Sequence, residues 1–422
     1  MKRILSTLFL MAALATTVPV RAQDSLQTYI LAAIRNNPAV AASFKSYMAQ
    51  VEGACGAGQL NDPELSVGMF PKAMNHVNGK QIATFSLMQM FPWFGSLKAG
   101  RKQMEWKAEA AFQQFREDGI ALAFDVQKAW YAMLATQEKI KSYDAKLRLL
   151  RDIRKTALYQ YKSPTMARGS KMSDQLRINA EEARLEEQMA SWQSVLQLQK
   201  EQFNLLLHRS TALPVVLPDS IVLRQMPPAD WQAIVQNSPS LSRFKAEEQS
   251  YSAQAARAKA MGGPMIGVGI EYMLNGKVDM PVMPKMNGND MLMPMLKVTL
   301  PVYRRRIKSA VRSANLLKES AEAKYERQQD VLRAQSLSIS QRTDDVVRKL
   351  RLYDRETEIL NNTLRLLQDE YVNGTSSLTD ILQTEREQID YELKKAEARA
   401  DFNTLVAEYE KLASMYDYSK RN

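Results

Sequence analysis

Two long stretches of the chain carry apolar residues at steps that alternate between four and three. One runs Val346, Leu350, Tyr353, Thr357, Leu360, Leu364, Leu367, Tyr371. The other runs Leu122, Val126, Ala129, Met133, Thr136, Ile140, Tyr143, Leu147, Leu150. An average step of 3.5 keeps one helix face against a neighbour as the two wind together, so both stretches predict coiled-coil helices. Arg304 to Val372 is 69 residues without Gly or Pro. At 1.5 Å per residue that is a helix roughly 100 Å long. Asn373-Gly374 supplies a left-handed stop, and the run from Lys162 to Gly169, with Pro164, ends the matching helix. Return helices are predicted at about Lys171–Leu207 and Leu378–Tyr416.

Four short runs have a different period: about Glu64–Phe70, Ile82–Phe91, Met265–Met273 and Met291–Leu300. They read as strands in two pairs. Ile82–Phe91 and Met291–Leu300 match the 9–11 residues of a tilted membrane strand. In the last run Leu292, Leu296, Val298 and Leu300 share one face, and Met291, Met293, Met295, Lys297 and Thr299 the other. In the third, Ile266, Val268, Ile270 and Tyr272 oppose Met265, Gly267, Gly269, Glu271 and Met273. An apolar outer and a mixed inner face are the signature of a transmembrane barrel. Two soluble hairpins packed on one side are the plainer alternative, against which stands Phe91-Pro92-Trp93-Phe94, an aromatic cluster at a strand end. Four strands cannot close a barrel, and open edges in lipid cost several kcal/mol per unpaired group. Several copies must then share one barrel: two give eight strands, three give twelve.

The pattern is written twice. Pro38, Pro63 and Val67-Gly68 recur as Pro239, Pro264 and Val268-Gly269, an offset of 201 residues (239 against 38). The expected division is a signal peptide at 1–22, a first repeat at 23–210, a linker at 211–228 with Pro214, Pro218, Pro227 and Pro228, and a second repeat at 229–422. Lys2 and Arg3, the apolar run Ile4–Ala15 and Val20-Arg21-Ala22 have the order of a secretory signal. Its removal takes the net charge from +11 to +8, since three basic residues leave with it.

Composition closes off other classes. There is one Cys, Cys55, expected as a small packed residue, and no Cys near the cleavage site for a lipid anchor. His76 and His208 stand in no ligand spacing, and no nucleophile elbow or phosphate loop occurs, so neither catalysis nor a cofactor is expected. Basic residues are interleaved with Glu, which argues against nucleic acid.

With these features the chain resembles the TolC family of outer-membrane efflux channels, over about Asp24 to Tyr416. The doubled helix–hairpin–long-helix unit carries the resemblance, together with the strand exits Gln89–Gly95 and Leu300–Lys308 and the turn Tyr371, Gly374-Thr375, Asp380-Ile381-Leu382. It implies a mainly α protein: a homotrimer whose long helices form a periplasmic α-barrel and whose strands share a transmembrane β-barrel among outer-membrane lipids. It also implies the exit duct of a tripartite pump, with a periplasmic adaptor and an inner-membrane transporter. A type I protein-secretion duct, or a non-channel periplasmic coiled-coil adaptor or scaffold, is the alternative. The resemblance places Asp380 and Gln383 at the periplasmic gate and makes the turns at Gly169, Gly374 and Thr375 adaptor contacts.

Methionine suggests the cargo. Nine of the 23 Met fall between Met261 and Met295. Met280, Met283 and Met286 are spaced by three, the shorter loop offers Met74 and His76, and strand parity puts Met88, Met90, Met265, Met273, Met291, Met293 and Met295 on the mixed face. Thioethers are soft donors that suit Cu(I) and Ag(I) and release them readily. That points to the heavy-metal, CusC-like branch; flexible apolar filling is the other reading. Three residues or groups carry weaker readings: His208 as a helix end, Glu271 on the mixed face as a bias toward cations or an incidental rim residue, and the basic run Arg304, Arg305, Arg306, Lys308, Arg312 as a solvated helix start or a headgroup contact.

Overall fold

The computed structural model describes residues 26–72, 75–76, 79–162, 172–279, 284–373 and 375–415. The signal peptide, Met74, Gly169, Met280, Met283, Gly374 and the His76 side chain lie outside the described residues.

Each half opens with a helix broken by a proline: α1 (Leu26–Asn36) and α2 (Pro38–Ala57), then α5 (Trp231–Asn237) and α6 (Pro239–Ala260). Proline fixes its own φ and has no N–H to give, so it starts a helix well and continues one badly. Ser238 shows the device: its Oγ accepts from the Leu241 N–H at 3.4 Å and Pro239 takes the first helical position. The long helices are α3 (Ser96–Lys162) and α7 (Arg304–Val372), each followed by a return helix, α4 (Met172–Leu206) and α8 (Leu378–Leu412). The expected limits of α7 hold at both ends. Every residue of both heptad seams is buried or half-buried.

The strands form one antiparallel sheet in the order β1 (Glu64–Met69), β3 (Gly79–Phe91), β4 (Met265–Gly276), β5 (Met291–Thr299). A two-residue strand, β2 (Asn75–His76), pairs with the start of β3 and was not anticipated. The inner strands also outrun the expectation: β3 begins three residues before Ile82 and β4 ends three after Met273. Those added residues carry no alternating pattern, because Gly79 and Gly276 lie where the backbones nearly touch. A Cβ on Gly79, whose φ is +114°, would stand 2.4 Å from the Gly276 carbonyl. A register shift between Gln81 and Ala83 absorbs the irregularity. β1 and β5 are the edges of the sheet, which remains open in the single chain.

Two compact units divide the chain. A helical unit takes the chain up to Asn37, Leu122–Gln225 and Thr343–Ala407. Its core includes Leu147, Leu150, Ile178, Leu185, Leu364 and Ile381, and Tyr29, Trp130 and Phe203 form an aromatic cluster. A sheet unit takes Pro38–Ala121, Met226–Arg342 and the chain from Glu408. Its core gathers Ile234, Leu241, Leu332, Ile339, Tyr409 and Leu412. Each unit draws on both repeats, since the long helices run through both. Among the described residues no helix is long and apolar enough to cross a membrane.

Cys55 is exposed on α2 rather than packed. The buried position in that turn belongs to its neighbour Ala54, one step of 100° away on the helix. His208 closes α4 with φ +51°, its N–H reaching the Leu205 carbonyl at 2.9 Å, which is the helix-end role expected.

Candidate functional site: a methionine face and an acidic helix start

The sheet register decides which residues share a face. Across β1, β3, β4 and β5 the rows are Glu64, Met88, Gly269, Met295; then Ser66, Ser86, Glu271, Met293; then Gly68, Thr84, Met273, Met291. Beyond them lie Met90, Gly267 and Lys297, and then Met265 with Thr299. The parity expected from the sequence is therefore met: Met88, Met90, Met265, Met273, Met291, Met293 and Met295 lie on one face. The other face carries Leu65, Val67, Phe85, Leu87, Val268, Ile270, Leu292, Leu296 and Val298, all exposed in the single chain.

Glycine shapes the methionine face. A Cβ on Gly267 would stand 2.5 Å from the Met90 sulfur and 3.1 Å from that of Met88, so both thioethers occupy the space above one bare backbone position. On Gly269 a Cβ would meet the Met88 sulfur at 3.0 Å, with Met295 next in the row. Glycine at these two positions lets neighbouring sulfurs converge where any other residue would separate them. The Met88–Met90 pair does not stand out in the sequence: its signal is only a step of two in a strand, and it gains meaning once Gly267 is opposite. Met286 lies apart, on a 3₁₀ turn (Pro284–Met286) of the loop after β4, and is exposed. That loop is clasped by Asn287, whose side chain accepts from the Val278 N–H at 3.0 Å and donates to the Val278 carbonyl at 2.9 Å.

In the helical unit, Asp380 occupies the third position of α8. Ser377 Oγ donates to its carboxylate at 2.7 Å and accepts from its N–H at 3.3 Å, a reciprocal cap. Gln383, one turn on, donates to Glu387 at 3.3 Å. Asp380, Gln383, Glu387 and Asp390 follow steps of three and four on one exposed face. Glu387 and Asp390 extend the acidic row beyond the two residues picked out from the sequence. Thr375 ends α7, its N–H and Oγ1 both donating to the Glu370 carbonyl, at 2.9 and 3.0 Å.

Behind that face lies a polar layer the heptad pattern does not announce. Burial pushes the Glu385 carboxyl up to about 7, with Lys146 opposing and Glu181 adding to the rise. The same burial draws the Lys146 amine down, against the pull of Glu392 and Glu385. Lys146 donates to Gln388, which donates to Asn361, so α3, α8 and α7 share one chain of polar contacts. Glu181 is 5% exposed; burial pushes its carboxyl up, but hydrogen bonds from Arg386, at 2.7 Å, and from Arg184 outweigh this and hold it below the usual range.

Residues 231–412 match the family model described as outer membrane efflux protein. Over these residues the chain is similar to that family. An efflux protein of this family is an outer-membrane protein. No curated sequence matches the chain. Solved structures extend the likeness in fold to 92% of the chain. CusC aligns at 15% identity over 92% of its own chain with a TM-score of 0.75. VceC of Vibrio cholerae, an outer membrane protein, aligns at 14% over 96% of its chain with 0.71. The open MtrE outer membrane channel of Neisseria gonorrhoeae aligns at 14% over 88% with 0.69.

Proposed function

We propose that the protein is a passive exit duct whose cargo is a soft monovalent cation, Cu(I) or Ag(I). Three copies close a twelve-stranded barrel by pairing β5 of one with β1 of the next, which covers both edge strands of the sheet. The apolar face, interrupted on β3 by Gln89, then meets lipid and the methionine face lines the lumen. The duct works with a periplasmic adaptor, which meets the helix turns around Thr375, and with an inner-membrane transporter that supplies the energy. The acidic row of α8, starting at Asp380, narrows the pore and draws cations.

One observation carries the cargo reading: the Met88 and Met90 sulfurs lie over Gly267, on a face with five further methionines. A packing methionine belongs where side chains meet, whereas these line a space that closure of the barrel fills with water. Soft, uncharged, repeated donors bind such an ion weakly enough to pass it on. In a deletion strain, copper and silver tolerance should fall and wild type should restore it. A variant with Met88, Met90, Met291, Met293 and Met295 changed to Leu should not, although it reaches the outer membrane. Full restoration by the Leu variant, or a deletion that alters only drug or bile-salt tolerance, makes the cargo organic.

A further inference from the structure

At the helix-side end of the sheet, Leu60, Phe91, Trp93, Leu97, Pro264 and Ile266 line an open apolar groove of about 420 Å³. Phe91 and Ile266 belong to the apolar face of the sheet, so the groove continues that face rather than the methionine one. Trp93 forms its wall by lying on Gly263, where a Cβ would stand 2.2 Å from the indole. The adjacent Gly262 carries Ile307 in the same way, at 3.2 Å, which brings the first turn of α7 beside the groove. That turn holds Arg304, Arg305, Arg306 and Lys308, all exposed, and none has an ion pair among the described residues. Four cations at a helix N-terminus oppose the helix dipole, so they are not there for the helix. The other strand exit repeats the order, with Trp93 and Phe94 followed by Lys98, Arg101 and Lys102. Phe94 and Tyr303 are each 82% exposed, in the manner of interfacial aromatic residues.

We infer that this groove and the α7 basic turn form a binding site for one anionic phospholipid, with an acyl chain along Phe91 and Trp93 and the headgroup phosphate on Arg304–Arg306. A neutral surface would satisfy the groove and leave the cations unused; a second copy of the chain would have to bring an acidic patch to meet them. An anionic lipid at the inner interface supplies both apolar length and negative charge. The inference rests on the outer-membrane placement of the sheet, and the test separates the two.

Trp93 is the reporter, isolated from the other four Trp by subtracting a Trp93→Phe protein. The full chain is reconstituted in phosphatidylethanolamine vesicles containing dibrominated phosphatidylcholine or dibrominated phosphatidylglycerol at equal mole fraction. Quenching by both lipids establishes that the sheet end is embedded. The expected result is a preference of about tenfold in half-quenching concentration for the anionic lipid. It should fall to near onefold with Arg304, Arg305 and Arg306 changed to Gln, and persist with the same three changed to Lys, which also controls for folding. Equal quenching by the two lipids, or a preference unchanged in the Gln protein, overturns the lipid site alone. Absence of quenching by either lipid overturns it together with the membrane placement of this end.

Discussion

The sulfur of Met90 lies where a side chain on Gly267 would begin: a Cβ there would stand 2.5 Å away. The two residues face each other across β3 and β4 in register, so the thioether has taken the volume glycine leaves. Gly267→Val should therefore expel both Met90 and Met88 from that position while raising β-propensity at 267. The expected outcome is loss of silver tolerance with unchanged outer-membrane abundance. Unimpaired tolerance in that variant would remove the sulfur pair from the conduction path.

At the start of α8, cap and charge can be separated. Ser377→Ala removes the side-chain cap and should cost about 1 kcal/mol of helix stability while leaving cation preference intact. Asp380→Asn keeps an acceptor for the cap but deletes the charge. In planar bilayers it should lower cation selectivity and weaken block by multivalent cations. Equal selectivity in both proteins and wild type would confine Asp380 to capping.

Glu385 gives the helical unit a pH dependence. A carboxyl whose pKa rises from 4.5 to about 7 on folding holds its proton more tightly in the folded state. Its contribution is fully present below about pH 4.5 and is lost as the pH rises through about 7. Glu385→Gln cannot ionise, so it should match wild type near pH 5 and exceed it at pH 8, by roughly 1–3 kcal/mol. Thermal melts followed by circular dichroism at the two pH values check this; a gain at pH 5 as large as that at pH 8 would refute the ionisation account.

Glu181 works in the opposite direction. Its folded pKa is depressed, so its contribution is present above the unfolded value of about 4.5 and disappears as the pH falls through the folded one. Glu181→Ala leaves Arg184 and Arg386 without their shared partner; both are about half exposed, so solvent limits the loss to about 1–2 kcal/mol. The variant should melt lower at pH 7 and approach wild type at pH 3. A double change with Arg386→Ala should cost less than the sum of the two single changes.

Much of this was legible in the chain because the long helices and strands announce themselves by period. Glycine and proline are absent from α7, so nothing could interrupt it, and the 4–3 steps from Val346 to Tyr371 fixed which face is covered. In the strands a period of two left the parity of Met291, Met293 and Met295 no freedom once one face had to be apolar. Asp380 and Gln383 were named through resemblance alone, and their place at the gate is a proposal. Glu387 and Asp390 were missed because charges on an exposed helix look alike until the seam behind them is known.

The sequence by itself determined the long helices, the four main strands, their order and the face each strand presents, all of which follow from local backbone geometry and the spacing of apolar side chains. Tertiary structure alone decided the rest. It set Gly267 against Met90 and Gly269 against Met88, because register between strands nearly two hundred residues apart depends on how the backbones meet and not on either strand's pattern. It also buried Lys146, Glu385 and Gln388 together. No periodicity marks those three positions as a layer, since a polar residue is driven inward only when partners from other helices arrive to satisfy it.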